Sequence, residues 1–307
     1  MSIVLKKILV GIDESKDAAL ATHAAIDLST KTGAELHVVH VWRRAQALPL
    51  ARPGLAYPSL EAAGYADTVQ QEAEELLEKQ AHLIRAAGGT LAETHLREGR
   101  AAEEITGIAE ELEVDLLVVG SRGAGAAERL VTGSVSEGVV YLAPCPVLVM
   151  RGGDEAWPPT DIVICDDSSK EARRAGELAA GLGQLFEGSA LLVRALPLHH
   201  VRNASARVTA LSTADAMLQR NKEALEERAE ELESVLGRRP HARVVVGDTA
   251  GIIQKVAEED GKPALVAVGS RGLNAARRFL LGSSSTDIMR AVGGPVLIVP
   301  PPENRAR

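Results

Sequence analysis

The sequence contains little that would place the protein in a membrane, a disulfide-bonded scaffold or a nucleic-acid complex. Its two cysteines, Cys145 and Cys165, have neither metal-ligand nor redox spacing, and His37 and His40 have no His, Cys or Asp partner at ligand spacing, so we interpret them as strand residues. No apolar run reaches the ~18 residues of a transmembrane helix, and the first residues lack a signal-peptide pattern. The net charge of −8 disfavours broad binding to a phosphate backbone. We therefore expect a cytoplasmic protein with no membrane span and no nucleic-acid partner.

Aromatic residues and the best-known nucleotide motifs are also rare or missing. Aromatics make up only 2% of the chain, so a core must be built from Val, Leu, Ile and Ala. No Gly-x-x-x-x-Gly-Lys-Ser/Thr segment is present, which excludes a P-loop, and no Gly-x-Gly-x-x-Gly opens the first predicted helix, which argues against a dinucleotide site. No nucleophile and base pair is visible, although phosphoryl transfer needs a residue that orients the attacking group. We therefore expect at most weak phosphoryl-transfer activity.

What the sequence does contain is one glycine motif that occurs twice. Gly120–Gly123 reads Gly-Ser-Arg-Gly and is followed, after nine residues, by Gly133-Ser134. Gly269–Gly272 has the same four residues and is followed, after nine residues, by Gly282-Ser283. Nine of the fifteen positions in this window are identical between the copies, and each copy lies between an apolar run and a predicted helix. The chain is therefore predicted to be a tandem repeat.

This motif suits an anion such as phosphate. A glycine directly after a strand lets the backbone turn sharply and lets a ligand approach, because it has no Cβ. The first amides of a helix lack internal partners and carry partial positive charge, so a helix that begins at Gly133-Ser134 offers an anion site. The alternative for Ser134 is structural, since Glu137 three residues later completes a capping-box pattern. Two copies with identical spacing favour the phosphate interpretation.

The repeat extends over nearly the whole chain and predicts two domains. We place them at 1–151 and 161–307, with a linker at 152–160. Short apolar runs alternate with helical segments in both, which indicates α/β domains with parallel sheets covered by helices on both faces. The fifth strands, Pro146–Met150 and Pro295–Val299, are short apolar edges, and such edges pair readily. We therefore expect self-association through strand five, within the chain as a pseudo-dimer or between chains as a homodimer.

Two long segments follow the second strand of each half. Trp42 to Ala66 and Pro197 to Ala214 are predicted to be loops, and the acidic segments Gln70–Ala87 and Asn221–Leu236 are predicted to be helices. Loops of this length are usually functional or mobile. Their position after strand two would let them cover a ligand.

An aspartate follows the first strand in both halves. Asp13 and Asp166 belong to the carboxyl edge of the predicted sheets, where open α/β sheets bind ligands. A helix cap is the alternative role. We match residues 13–15 to residues 166–168. We also align the second strands of the two halves without gaps, which makes Arg194 the equivalent of Val39.

Together these features resemble the universal stress proteins. The spacing Gly-x-x-Gly, nine residues, Gly-Ser is similar to the ATP-binding signature of that family, as are the Asp-x-Ser after strand one and the endings at 144–149 and 294–299. Family members that do not bind ATP generally lack these glycines. The resemblance covers both halves and implies two Rossmann-like, five-stranded parallel-sheet domains of the adenine nucleotide α-hydrolase-like type. They would form a pseudo-dimer with strand five at the interface.

The resemblance also implies two ATP sites per chain, with Mg²⁺ on the phosphates because of their charge. Adenine would lie near Val41 and Leu196, and ribose near Asp13 and Asp166. The phosphates would contact the residues that match the motif, which are Gly120, Arg122, Gly123, Gly133, Ser134, Val135, Gly269, Arg271, Gly272, Gly282, Ser283 and Ser284.

The second copy departs from the first, because Ser284 stands in place of Val135, Thr286 in place of Glu137 and Arg194 in place of Val39. We expect an ATP-binding regulatory protein of the stress response, with two sites and at most weak ATPase activity. Two alternatives stay open. One is a slow ATPase or nucleotide-transferring enzyme, and the other is a dimerisation module that binds no nucleotide.

Overall fold

The computed structural model describes residues 4–43, 60–123, 133–197, 210–259, 261–270 and 283–301. Strands and helices alternate through the first half. Its strands are β1 (Lys7–Gly11), β2 (Glu35–Trp42), β3 (Leu91–Glu98), β4 (Leu116–Gly120) and β5 (Val147–Met150), and its helices are α1 (Lys16–Thr32), α2 (Leu60–Ala86), α3 (Ala101–Glu111) and α4 (Ser134–Leu142).

The second half repeats this order after a short 3₁₀ turn at Asp154–Ala156. Its strands are β6 (Asp161–Cys165), β7 (Ser189–Leu196), β8 (His241–Val246), β9 (Leu265–Gly269) and β10 (Val296–Val299), and its helices are α5 (Lys170–Phe186), α6 (Ala210–Leu236), α7 (Thr249–Ala257) and α8 (Ser283–Ala291).

Among the helices of the described ranges, none combines the length and apolar character that crossing a bilayer would need.

The ten strands of the described chain form one sheet in the order β3-β2-β1-β4-β5-β10-β9-β6-β7-β8. Pairs within each half are parallel, as connections through crossover helices require. The halves meet at β5 and β10, which run antiparallel with Leu148 opposite Leu297. The predicted α/β fold, with two Rossmann-like five-stranded halves arranged as a pseudo-dimer, is confirmed.

Helices cover both faces of the sheet. α1, α2, α5 and α6 pack on one face through side chains such as Leu20, and α3, α4, α7 and α8 pack on the other through side chains such as Ile108. Successive strand residues alternate between these cores, so Ile8 belongs to the first and Leu9 to the second. Burial on both faces explains why the strands appear in the sequence as continuous apolar runs.

The segment between the halves is packed against both of them. Trp157 is 4% exposed, and its Nε1 donates to Oδ2 of Asp27 in α1 at 3.0 Å. Its ring also meets the edge of Phe186 at the end of α5, with 4.9 Å between ring centroids. The halves are therefore held by a shared core as well as by the β5–β10 pair.

Both acidic helices begin earlier than the sequence predicts. α2 starts at Leu60 and α6 at Ala210, inside the segments predicted to be loops. The residues added to each helix include several Ala and Leu, which favour helix. Gly64 indicated a loop, but one interior glycine costs a helix only about 1 kcal/mol. The rest of the two predicted loops, 44–59 and 198–209, lies outside the described residues.

Strand register corrects two matches between the halves, each by one residue and in opposite directions. β1 pairs with β2 so that Gly11 lies opposite Val39, and β6 pairs with β7 so that Cys165 lies opposite Val193. The sequence comparison places the turn after strand one and the second strand at different offsets, because a run of buried residues carries no alternation that would fix its register.

This shift makes Asp167, not Asp166, the counterpart of Asp13. Asp13 Oδ1 accepts the N–H of Ser15 at 2.9 Å, and Asp167 Oδ1 accepts the N–H of Ser169 at 2.9 Å. The two serines are the N-caps of α1 and α5. The equivalent positions therefore have equivalent local hydrogen bonds.

A shift in the opposite direction corrects the correspondence on the second strands. Arg194 of β7 is equivalent to His40 of β2, and Ala195 is equivalent to Val41. Leu196, which the sequence matches to Val41, lies one residue beyond that position.

Candidate functional site

A cavity of about 450 Å³ opens at the carboxyl ends of β1 and β4. In the order β3-β2-β1-β4-β5, the connections reverse direction between β1 and β4. Open α/β sheets bind ligands in the crevice at such a switch point, and the volume is within the range of small-molecule sites. The cavity therefore lies where the topology favours a binding site.

Residues predicted from the sequence meet at this cavity. They come from the turn after β1, the end of β2, the end of β4 with its following loop, and the start of α4. Those lining it are Asp13, Val41, Gly120, Arg122, Gly123, Gly133, Ser134 and Val135.

The sequence analysis did not identify the rest of the lining as site residues. Most of these residues are chain neighbours of the predicted ones, so position alone would have found them. Ala101 and Ile105 reach the cavity because α3 packs on this face of the sheet. The full additional set is Gly11, Ile12, Ala18, His40, Ala101, Ile105, Val119, Ser121 and Ser136.

Asp13 is positioned by its own turn. Besides the bond from Ser15, its carboxylate lies close to the loop after β4, since a Cβ built on Gly123 would be 2.9 Å from Asp13 Oδ2. A side chain at position 123 would displace the Asp13 carboxylate from its present position. The role of helix cap belongs to Ser15, whose Oγ accepts the N–H of Ala18 at 3.1 Å.

The first glycine of the motif has a structural reason that the sequence did not reveal. A Cβ on Gly120 would lie 2.7 Å from the backbone nitrogen of Ala18. A Cβ on Gly269 would lie at the same distance from the backbone nitrogen of Ala172. Both glycines therefore let the first turn of α1 or α5 pack directly on the end of β4 or β9. In the first half this brings a helix N-terminus to the edge of the cavity.

The loop after β4 returns to the site at Gly133. Its N–H donates to the carbonyl of Ser121 at 2.7 Å, and the same carbonyl accepts the hydroxyl of Ser136 at 2.8 Å. Gly133 is the N-cap of α4 and makes no side-chain cap hydrogen bond. The first turn of α4, at Ser134 and Val135, therefore lines the cavity with its N-terminal amides uncapped by a side chain.

The capping-box interpretation of Ser134 and Glu137 is wrong. Because Gly133 is the N-cap, Ser134 is the first residue of the helix. The carboxylate of Glu137 instead accepts two bonds from Arg290 of α8, at 2.9 and 3.2 Å. Glu137 therefore connects α4 to the second half, and Ser134 lies exposed beside the cavity.

Arg122 is anchored to α1. Its Nε and Nη2 donate to the two carboxylate oxygens of Asp17 at 3.0 and 3.2 Å, and Ser121 Oγ donates to the same carboxylate at 2.9 Å. A two-point contact of this kind fixes the guanidinium plane. Arg122 thus borders the cavity as a fixed positive group whose charge is partly offset by Asp17.

His40 is a cavity residue that the sequence analysis interpreted only as part of a strand. Its Nδ1 lies 2.9 Å from the carbonyl oxygen of Ile12. Since a carbonyl can only accept, Nδ1 carries a hydrogen and donates it. The bond holds the end of β2 against the turn after β1, where Val41 and Asp13 line the cavity.

The second half differs at the same place. Arg194, the counterpart of His40, is buried and forms an ion pair with Asp166. It also donates to Oδ1 of Asn221 in α6 at 3.2 Å. Asp166 is therefore held by β7 and does not occupy the position that Asp13 has in the first half.

The remaining predicted residues of the second half fall into two groups. Leu196 is buried at the end of β7, and Ser283 and Ser284 are exposed in the first turn of α8. The other predicted positions lie outside the described residues and are Arg271, Gly272 and Gly282.

Comparison with known proteins places this geometry in a family. The model of the universal stress protein family matches the chain twice, over residues 5–151 and 160–300. The chain is similar to universal stress protein YxiE of Bacillus subtilis strain 168, with 38% identity over 149 residues, 48% of this chain and 100% of that protein.

Solved structures are similar over nearly the whole chain. A universal stress protein from Archaeoglobus fulgidus DSM 4304 has a TM-score of 0.64 at 23% identity, and the match covers 96% of this chain and 98% of that one. PA1789 from Pseudomonas aeruginosa PAO1, described as functionally unknown, has a TM-score of 0.65 at 15% identity and covers 98% and 94%. At these identities the likeness establishes the fold with its two halves.

Proposed function

This chain belongs to the universal stress protein family, and we propose that it is an ATP-binding member that acts as a nucleotide-dependent regulator in the stress response. The observation that supports this is the convergence of the predicted residues on one cavity at the switch point of the first half. They come from separate segments of the chain, so their meeting depends on the fold and is not a property of the motif alone.

The cavity offers a distinct environment for each part of ATP. The uncapped first turn of α4 at Ser134 and Val135 would receive phosphates, because helix N-termini attract anions. Asp13, beside Gly123, would accept the ribose hydroxyls. Val41 at the end of β2 would pack on adenine.

Magnesium would enter with the phosphates. In the described part of the chain, one group of at least three His, Cys, Asp or Glu side chains close enough to hold a metal occurs, and it lies away from this cavity. Asp13 is the acidic side chain in the cavity lining. Mg²⁺ would therefore be held mainly by phosphate oxygens and water, as is usual for this ion, with Asp13 as the available carboxylate.

We also propose a second ATP site in the second half, with a different affinity. Gly269 repeats the close approach of Gly120, and Ser283 begins α8 as Ser134 begins α4. Asp167 would contact the ribose there, since it is the counterpart of Asp13 by strand register and Asp166 is paired with Arg194. The two sites would lie on either side of the β5–β10 pair, as in a dimer.

Ser134→Asp tests the first site without threatening the fold. An acidic residue in the first turn stabilises a helix by about 0.3–1 kcal/mol, yet it would repel a phosphate bound there. We expect calorimetric titration of nucleotide-stripped protein with Mg–ATP to show two equivalents for the wild type. In Ser134→Asp one of them should weaken at least tenfold.

Ser134→Asn introduces a side chain of the same size as aspartate but without its charge, and it should keep both equivalents of bound ATP. Ser283→Asp should weaken the other equivalent. Unchanged binding in Ser134→Asp would contradict the proposed phosphate position, and absence of any ATP binding by the wild type would leave the dimerisation module as the function.

A further inference from the structure

A second cluster of chemistry-bearing side chains lies on the sheet away from the cavity. His37 of β2 and Glu93 and His95 of β3 offer ligand atoms that all lie within 4.8 Å of one another. His37 lies opposite Glu93, and His95 lies opposite Val39. Alternation places these side chains on the face covered by α3. Along the strands, His37 lies four residues and His95 two residues before the level of Val41, which separates them from the cavity lining by roughly 13 and 7 Å.

The two imidazoles have a spacing that a metal ion can bridge. His37 Nδ1 and His95 Nε2 are 3.2 Å apart. Two nitrogens at about 2.0–2.1 Å from a tetrahedral Zn²⁺ would themselves be separated by about 3.3 Å. The pair therefore needs little movement to change from a hydrogen bond to shared ligation.

The other nitrogen of His37 gives a second, independent observation. His37 is only 5% exposed, and its Nε2 is buried without a hydrogen-bond partner. A buried polar atom left unpaired destabilises the folded protein. With an ion on Nδ1, Nε2 would carry the hydrogen of the neutral ring, and a small movement of Glu35, whose Oε2 is 3.8 Å away, would let its carboxylate accept that hydrogen.

Carboxylates stand next to both rings. Glu35 Oε2 is 3.8 Å from His37 Nε2, and Glu93 Oε2 is 4.0 Å from His95 Nε2. Both glutamates are more than half exposed, so their side chains can turn toward an ion without breaking the core. Lys7, at the start of β1, is the cation that acts on His37.

The protonation state of the two imidazole rings suits them to bind a metal ion. Burial lowers the pKa of both His37 and His95 below their usual range, against the opposing effect of the neighbouring glutamates. Neutral imidazole is the form that metals bind. On His95 the charges of Arg97 and Glu111 also act, with opposite signs.

We propose that His37, Glu93 and His95 form a binding site for a borderline first-row divalent metal ion, of which Zn²⁺ is the type. Two imidazole nitrogens and one carboxylate oxygen are a ligand set typical of Zn²⁺, and water completes the coordination. Such an ion ties β3, the outer strand of this half, to β2. It is a second ligand of the protein, separate from the nucleotide cavity.

The second half supplies a natural contrast. Its residues at the corresponding strand positions are Leu191, His241 and Arg243. One imidazole beside a leucine and a guanidinium cannot hold a cation. The site is therefore a property of the first half alone, and one metal ion per chain is expected.

The test uses full-length protein stripped of metal and nucleotide, because ATP itself binds metal ions. Zn²⁺ is titrated by calorimetry and, in parallel, Co²⁺ by its visible spectrum, which is intense when the ion is four-coordinate. We expect one equivalent for the wild type. His95→Gln and Glu93→Gln, which keep size and hydrogen-bonding groups, should each weaken it at least tenfold.

His241→Gln in the second half is the matched control and should bind as the wild type does. Thermal melts of the metal-free variants establish that each is folded, and added Zn²⁺ should raise the melting temperature of the wild type and of His241→Gln only. No stoichiometric equivalent in the wild type, or wild-type binding in His95→Gln, would overturn the site. Normal binding in Glu93→Gln would remove Glu93 from it.

Discussion

The two halves share one fold but carry different chemistry at the end of their second strands. In the first half, His40 bonds to the backbone of Ile12 at 2.9 Å and lines an open cavity. In the second half, Arg194 stands at the same position and is buried against Asp166 and Asn221. The same strand position thus carries a histidine beside an open cavity in one half and a guanidinium paired with a buried acid in the other.

The features that both halves keep are those that the backbone requires. A Cβ added to Gly120 or to Gly269 would lie 2.7 Å from a backbone nitrogen of the helix packed against it. Ser15 and Ser169 both cap the helix that follows the first strand. The position of His40 and Arg194 has diverged, because each of these side chains bonds to different partners.

The largest effect should come where the halves are most alike. Leu148 and Leu297 lie opposite each other in the β5–β10 pair and are fully buried. Leu148→Asp and Leu297→Asp should each lower the free energy of unfolding by more than about 4 kcal/mol, because a buried charge without a partner is costly. Equilibrium unfolding in urea measures this.

Leu83→Asp, at a position that is 53% exposed, serves as the control and should have a small effect. Near wild-type stability for Leu148→Asp would mean that the strand pair does not hold the halves together. Clearly unequal losses for Leu148→Asp and Leu297→Asp would break the symmetry of the interface.

The next effect should distinguish the halves. Arg194→Ala would leave Asp166 buried without its partner, which costs about 3 kcal/mol or more. His40→Ala, which removes one hydrogen bond to Ile12, should cost only about 1 kcal/mol. Both are measured as shifts in the urea midpoint at constant slope.

Replacing Asp166 by Asn in the Arg194→Ala background removes the stranded charge and should restore part of the lost stability. If Arg194→Ala cost no more than His40→Ala, the ion pair would not stabilise the second half.

The smallest effect concerns the corrected correspondence. Asp13→Asn should weaken Mg–ATP at the first site about tenfold, or about 1.4 kcal/mol, because the amide accepts hydrogen bonds less well than the carboxylate. Asp167→Asn should do the same at the second site. Asp166→Asn should act mainly on stability, because Asp166 is held by Arg194.

Calorimetric titration of the three variants reports affinity, and their melting temperatures report stability. A loss of second-site affinity in Asp166→Asn with no loss in Asp167→Asn would mean that Asp166, as the sequence comparison predicted, is the counterpart of Asp13.

Much of the fold could be predicted because its signals are local. The buried strands appear as short apolar runs, Gly33 ends α1 in a left-handed conformation, and the glycine motif occurs twice at one spacing. The N-terminal turns of α2 and α6 were predicted to be loops because Gly64 and the polar residues of 211–214 are typical of loops. The neighbouring Ala and Leu residues favour helix instead.

The predicted residues at the first cavity came from the glycine motif, from the place of Asp13 after the first strand and, for Val41, from the family resemblance. They meet because the carboxyl ends of parallel strands lie at one edge of the sheet. The reasons for them were less accessible. Gly120 leaves room for the backbone of α1, which packs against it. Arg122 is anchored to Asp17, which is 105 residues away along the chain. Neither contact has a signature in the local sequence.

The sequence by itself determined the duplication, the α/β class and the edge of the sheet at which a ligand would bind, because these follow from periodicity and from residues close together in the chain. Only the tertiary structure decided which residues are partners. Strand pairing made Asp167 the counterpart of Asp13 and brought His95 to His37 across 58 residues. Such pairs depend on register and on the packing of distant segments, which a run of uniformly buried residues does not specify.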